Sequence, residues 1–149
     1  MNDMFEALVT LTDHDPDRRD VAADVLGDLL RGAALDTDSA LLVVGRLVGV
    51  AVDEPVAKVR ESALNSISEA FYHYRLPLPL VEPLAAAMPT MERALLVHTL
   101  YILGATHDPR GRPLIEPFLH HPDPEVREEA RLATTEITGV ESEGLTHNS

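Results

Sequence analysis

Apolar residues recur along this chain at spacings of three and four. Ala22, Leu26 and Leu29 form one such set, Ala63, Ile67 and Ala70 a second. Leu96, Leu100 and Leu103 form a third, and Ala130, Thr134 and Ile137 continue the pattern with one polar substitute. Positions spaced this way share one face of an α-helix, so these columns are the expected core. No segment sustains the period-two alternation of a half-buried strand, and no sheet is expected. The pattern predicts helices near residues 2–12, 16–31, 38–52, 55–74, 78–87, 89–105, 110–120 and 123–138.

Prolines mark where these helices begin. Asp15-Pro16, Asp108-Pro109 and Asp123-Pro124 each place a carboxylate before a proline. Such a carboxylate accepts an orphan backbone N–H, and proline at the first helical position lacks the N–H that would go unpaired. Glu54-Pro55 opens a further segment with a weaker cap. Glu125, Glu128 and Glu129 lie toward the positive end of the last helix dipole.

The helices also repeat. "PLVEPL" at 79–84 returns as "PLIEPF" at 113–118, thirty-four positions on. That offset places Arg93 on Arg127; steps back of thirty-three and then forty-one positions reach Arg60 and Arg19. Measured from these arginines, the apolar columns fall at offsets three, seven and ten, and four segments agree in phase.

The stretch "DPRGRPLIEPFLHHPDPEVREEA", with Asp123, Val126, Arg127 and Ala130, resembles the HEAT-repeat family in its short bacterial form, similar to the repeats of phycobilisome lyases. The resemblance covers most of 15–139. Val59, Arg60 and Ala63 fit the second repeat, where Val56 replaces the aspartate. Asp15, Arg19 and Ala22 fit the first, with Arg18 in place of valine. The third is the most degraded, with Pro89, Glu92 and Leu96 at the motif positions. In the family the Asp and Arg tend to link neighbouring repeats, which implies that the second and third are joined mostly by packing. The implied fold is all-α, a short right-handed α-solenoid of about four HEAT-like helix pairs. Residues 1–139 then form one domain, and 140–149 a polar tail expected to be disordered.

Composition narrows the chemistry. The formal net charge of −13 disfavours nucleic acid and anionic membrane, which are bound by clustered Lys and Arg, and favours a basic protein partner. Acidity that only keeps a protein soluble is the plainer alternative. With no cysteine there is no disulfide, thiol nucleophile or thiolate metal site. The first residues, M-N-D-M-F-E, do not read as a secretory signal. The apolar stretches 41–52 and 94–105 are too short to span a bilayer, so a cytoplasmic protein is expected. A single lysine, Lys58, against eleven arginines suggests a GC-rich, bacterial genome.

In the fold that the resemblance implies, the second helix of each pair lines a concave side. Offsets one, five and nine from the column arginine lie opposite the core. They hold Asp20, Asp24 and Asp28, then Glu61, Asn65 and Glu69 with His73 one turn on. They continue with Ala94, His98 and Ile102, then Glu128, Leu132 and Glu136. Like charges at i, i+4 weaken their own helix, a cost easier to understand if something basic docks there. His98 reads either as a partly buried structural residue or as part of that face. The expected partner-binding set is therefore Asp20, Asp24, Asp28, Glu61, Asn65, Glu69, His73, His98, Glu128 and Glu136.

Catalysis and metal binding find little support. The serines lack a G-x-S-x-G context, and there is no G-x-G-x-x-G or P-loop. His14, His107 and His121 lie close to aspartates that already have cap roles, with no H-x-x-x-H spacing to pair ligands. The chain reads as a non-enzymatic interaction module without cofactor, monomeric when free, with an immunity- or antitoxin-like inhibitor as its favoured form. An adaptor or assembly factor and a lyase-like enzyme subunit are the alternatives.

Overall fold

The computed structural model describes residues 3–147, with side chains described for 3–139. It is helical, with no strand among the described residues. The helices are α1 (Asp3–Thr10), α2 (Pro16–Arg31), α3 (Thr37–Asp53), α4 (Ala57–Ala70), α5 (Leu78–Val81), α6 (Pro83–Ala87), α7 (Arg93–Ala105), α8 (Arg112–Ile115) and α9 (Pro124–His147). The chain divides into two compact units, Met1–Leu76 and Pro77–Ser149, and the anticipated single domain of 1–139 spans both. The anticipated tail, 140–149, lies outside the fully described residues.

The caps are those that the Asp-Pro steps call for. Asp15 accepts the Asp17 N–H at 2.9 Å, Asp108 that of Arg110 at 2.9 Å, and Asp123 that of Glu125 at 2.8 Å. Asp36 does the same for α3, accepting the Ser39 N–H at 2.7 Å, and these bonds hold its carboxyl below the usual carboxylate range. At α4 the N-cap is Val56, which has no side chain to offer. Glu54, expected to cap a helix from Pro55, accepts only the Val56 N–H at 3.1 Å, ahead of the helix, so α4 begins at Ala57 without a side-chain cap.

In the N-terminal unit α1 packs on α2, α3 on α4, and α2 on α4. Leu26, Leu30, Val43, Val44, Leu47, Leu64 and Ile67 are wholly buried between them. Each such side chain contributes about 1.5–3 kcal/mol on burial. In the C-terminal unit α7 packs on α9, with Leu96, Leu100, Leu103, Val126, Ala130 and Ile137 buried. Only Leu29 and Thr134 of the twelve column positions remain half-buried. In α2 the fully buried place falls to Leu30 beside Leu29.

Two close approaches set the helix spacing. A Cβ on Gly27 of α2 would stand 2.3 Å from the Ser66 hydroxyl oxygen of α4. Ser66 itself is buried and donates to the Ala23 carbonyl at 2.8 Å. In the other unit a Cβ on Gly104 of α7 would stand 2.8 Å from the Cα of Ala133 in α9. Ser66 and Ala133 both follow their column arginine by six positions, whereas Gly27 and Gly104 follow theirs by eight and eleven.

Several expected helices are shorter or broken. The helix expected over 55–74 ends at Ala70, where Phe71, Tyr72 and His73 bond three residues back in a tightening turn. That over 78–87 is interrupted at Pro83, which cannot donate to the preceding turn. That over 89–105 starts as a 3-10 turn at Met88–Thr90 and becomes α-helical only at Arg93. The segment 110–120 is α-helical only at Arg112–Ile115, between 3-10 turns Pro109–Gly111 and Glu116–His120. Pro109, Pro113 and Pro117 remove one donor per turn there, so a regular i→i−4 ladder cannot run through.

Candidate functional site

The column arginines prove to be staples. Arg19 donates from one guanidinium nitrogen to the carbonyls of Asp13 and His14, at 2.9 and 3.1 Å. Arg60 donates to the Ala51 carbonyl at 2.8 Å, and Arg127 to those of His121 and Pro122 at 2.9 and 3.0 Å. Each ties the start of its helix to the turn or helix before it. Arg19 also meets Glu54, and Arg93 meets Asp123 at 2.8 Å. These two pairs join α2 to the turn before α4 and α7 to the start of α9, one within each unit.

With the helices fixed in this way, one set of expected site residues converges. Asp24 and Asp28 of α2 and Asn65 and Glu69 of α4 line a groove of about 320 Å³, floored by Gly27 and Ser66. The missing Cβ of Gly27 is what lets α4 come close enough to form it. Arg31 reaches in from the end of α2, 2.5 Å from Asp28 and 3.9 Å from Glu69. Three carboxylates therefore face one guanidinium, and the groove is net acidic. Burial at its wall pushes the Asp24 carboxyl up, and the charges of Asp20 and Asp28 push it the same way. Asp20 is bound by the Ser62 hydroxyl across the α2–α4 seam. Glu61 is exposed on α4, and His73 is exposed in the turn beyond it.

The remaining positions lie in the C-terminal unit. His98 is half-buried on α7. Glu128 is paired with Arg131 at 2.6 Å, and Glu136 with His107 at 2.9 Å. Ile102, expected on the open face, is wholly buried. Helix α7 is covered on most sides, with Leu95, Leu96, Thr99 and Gly104 also buried, so its apolar sequence has no free face at offset nine.

Sequence reasoning passed over Arg31, whose signal was its i, i+3 spacing from Asp28. It also passed over Val21, an exposed apolar residue on the acidic side of α2. A second groove of about 550 Å³ lies beside Val21, between α1 and α2. Among the described residues no group of three or more His, Asp or Glu is placed to hold a metal ion. His121 instead accepts the Asp123 N–H through Nδ1 at 3.0 Å. No helix of the described residues is long and apolar enough to cross a membrane.

No family model matches the chain, and no curated protein matches it. Among solved structures it is similar to an engineered protein whose crystal structure was determined by the Northeast Structural Genomics Consortium. The TM-score is 0.67 at 19% sequence identity, over 92% of this chain and 63% of that one. The chain thus spans under two thirds of that protein's length, and at this identity the likeness is one of helical fold alone.

Proposed function

We propose that this chain is a non-enzymatic protein-binding module of HEAT-repeat type, a short right-handed α-solenoid of about four helix pairs whose acidic helix faces hold a basic protein. The shared phase of the four column arginines and the likeness to a helical engineered protein support the architecture. The observation that carries the binding reading is the α2–α4 groove, where Asp24, Asp28 and Glu69 share one opening with only Arg31 to offset them. A basic side chain entering there would exchange like-charge repulsion for pairing, and a complementary field would speed its approach. Within this class a small inhibitor of a basic toxin, of the immunity or antitoxin kind, fits the size and the acidity.

The test is affinity capture from the native host with the wild type and with two double variants, Asp24→Lys/Asp28→Lys and Glu61→Lys/Glu69→Lys. A basic protein held by the wild type, lost from the variants and weakened by salt is the expected outcome. Equal retention by all three, with helicity unchanged, rejects the acidic face as the site.

A further inference from the structure

We infer that the groove between α1 and α2 is the apolar half of a docking surface for a basic amphipathic helix, whose charged half is the acidic ridge of α2. The inference rests on the proposed binding of a basic partner and adds to it the form of the segment that binds.

The ridge is set by helical spacing. Asp17, Val21, Asp24 and Asp28 stand at i, i+4, i+7 and i+11, a single stripe along α2. Val21 interrupts the carboxylates and is 61% exposed, although valine in the middle of a charged stripe gains nothing from water. On one side of the stripe lies the acidic groove shared with α4. On the other lies the α1–α2 groove of about 550 Å³, with Ala7, Ala22 and Val25 along its floor, Val21 at its lip, and Asp3 and Glu6 at its far rim.

A trough between two packed helices accepts the ridge of a third, and helix-in-groove recognition uses apolar anchors three or four residues apart. The surroundings fix the sign of the occupant. Arg18 and Asp17 also line the groove; Arg18 is turned to Asp13 at 3.4 Å, and Asp17 is held by Lys58 at 2.6 Å. That leaves the carboxylates of Asp3 and Glu6 on one rim and Asp24 beyond the other, with Asp28 shared with Arg31. A helix with leucines on one face and lysines or arginines flanking them complements both features. A second copy does not, because a chain of net charge −13 would bring its own acidic ridge against this one.

The probe is a fluorescent helical peptide of about three turns, with leucines at i, i+4 and i+7 and lysines elsewhere. Its control carries serine for leucine at the same charge. Anisotropy titrations use the full chain and its Val21→Ser, Val21→Leu and Asp24→Lys/Asp28→Lys variants. The leucine peptide should bind about tenfold tighter than the serine peptide, as burial of anchors of this size implies. Val21→Ser should remove most of that advantage without changing the serine peptide's affinity, Val21→Leu should keep it, and the charge reversal should weaken both peptides.

If leucine confers no advantage, or Val21→Ser leaves it intact, the groove is not the anchor site; loss on charge reversal would then still uphold the acidic face. If the advantage depends on Val21 but charge reversal changes nothing, the acidic-face reading fails, and with it the basic occupant. A wild-type dimer in sedimentation that dissociates on Val21→Ser assigns the groove to a second copy and overturns the proposal.

Discussion

Arg19 and Glu54, thirty-five positions apart, face each other through two parallel bonds, Nε to Oε2 at 2.9 Å and one terminal nitrogen to Oε1 at 2.8 Å. The same glutamate receives the Val56 N–H, so one carboxylate holds the turn before α4 and ties it to α2. The Glu54 side chain is only 6% exposed, which makes the pair a shielded one. The Arg19 bond holds the glutamate below its ordinary value of 4.5. A carboxyl more acidic when folded than when unfolded adds stability above its unfolded value. That stability is lost as pH falls from about 4.5 through the folded value. Glu54→Gln should therefore cost about 1.5–3 kcal/mol at neutral pH, the scale of hydrogen bonds to a charged group. Thermal melts of wild type and variant should converge as the pH is lowered below the glutamate range.

The α2–α4 crossing gives a contrast between glycines. Gly27→Ala would drive a Cβ into Ser66, whose own Cβ is 2.9 Å away and whose hydroxyl is held by Ala23. Overpacking of this kind costs about 1–3 kcal/mol, more than the roughly 1 kcal/mol that alanine gains in helix propensity. Gly49→Ala meets nothing within 4 Å and should keep that gain. Chemical denaturation should move the two midpoints in opposite directions, and Ser66→Gly should recover part of the loss in Gly27→Ala.

Tyr74 supplies a further check on how the loops are held. Its hydroxyl donates to the Leu35 carbonyl at 2.7 Å and accepts the Leu35 N–H at 3.2 Å, closing the α2–α3 connection from a distance of thirty-nine positions. Tyr74→Phe leaves both backbone groups without that partner and should cost about 1–2 kcal/mol, with faster amide exchange at Leu35. Tyr72→Phe, at a ring that is 70% exposed, should change neither.

The sequence carried the helices and their phase because both depend on local spacing. Pro16 and Arg31 bound α2 as the periodicity predicted, and Asp15, Asp108 and Asp123 cap as their Asp-Pro steps imply. What it did not carry was distance between helices. The motif position at Val56 is vacant as it looked, but Glu54 two residues earlier ties that turn to Arg19. The Gly27–Ser66 contact depends on a crossing no single helix encodes. Ile102 fits an open face by offset but is buried, because α7 is covered on most sides. The grouping of Asp24, Asp28, Asn65 and Glu69 was legible, since equal offsets on two packed neighbours bring side chains to one seam. Arg31 and Val21 lie off those offsets, so the column rule could not select them.

Asp24 links stability to the proposed binding. Its carboxyl is raised above the usual 3.8 by burial first, then by Asp20 and Asp28 one turn to either side. A carboxyl that is less acidic when folded favours the fold while protonated, below about 3.8. It loses that contribution as pH rises through the folded value, so at neutral pH the ionised group works against folding. Asp24→Asn should therefore stabilise the protein at neutral pH, by about 0.2–0.5 kcal/mol for each of the two like-charge pairs it relieves. For a chain of this size that is a rise in Tm of roughly 1–4 °C. The gain should fade as pH falls below the aspartate range, where wild type is itself neutral at this position. If the groove receives a basic side chain, the same substitution should weaken the partner while strengthening the fold. Paired melts and titrations of Asp24→Asn at neutral pH check both. A variant neither more stable nor weaker in binding would mean that the carboxylate is merely solvated, which is how an ordinary exposed helix residue behaves.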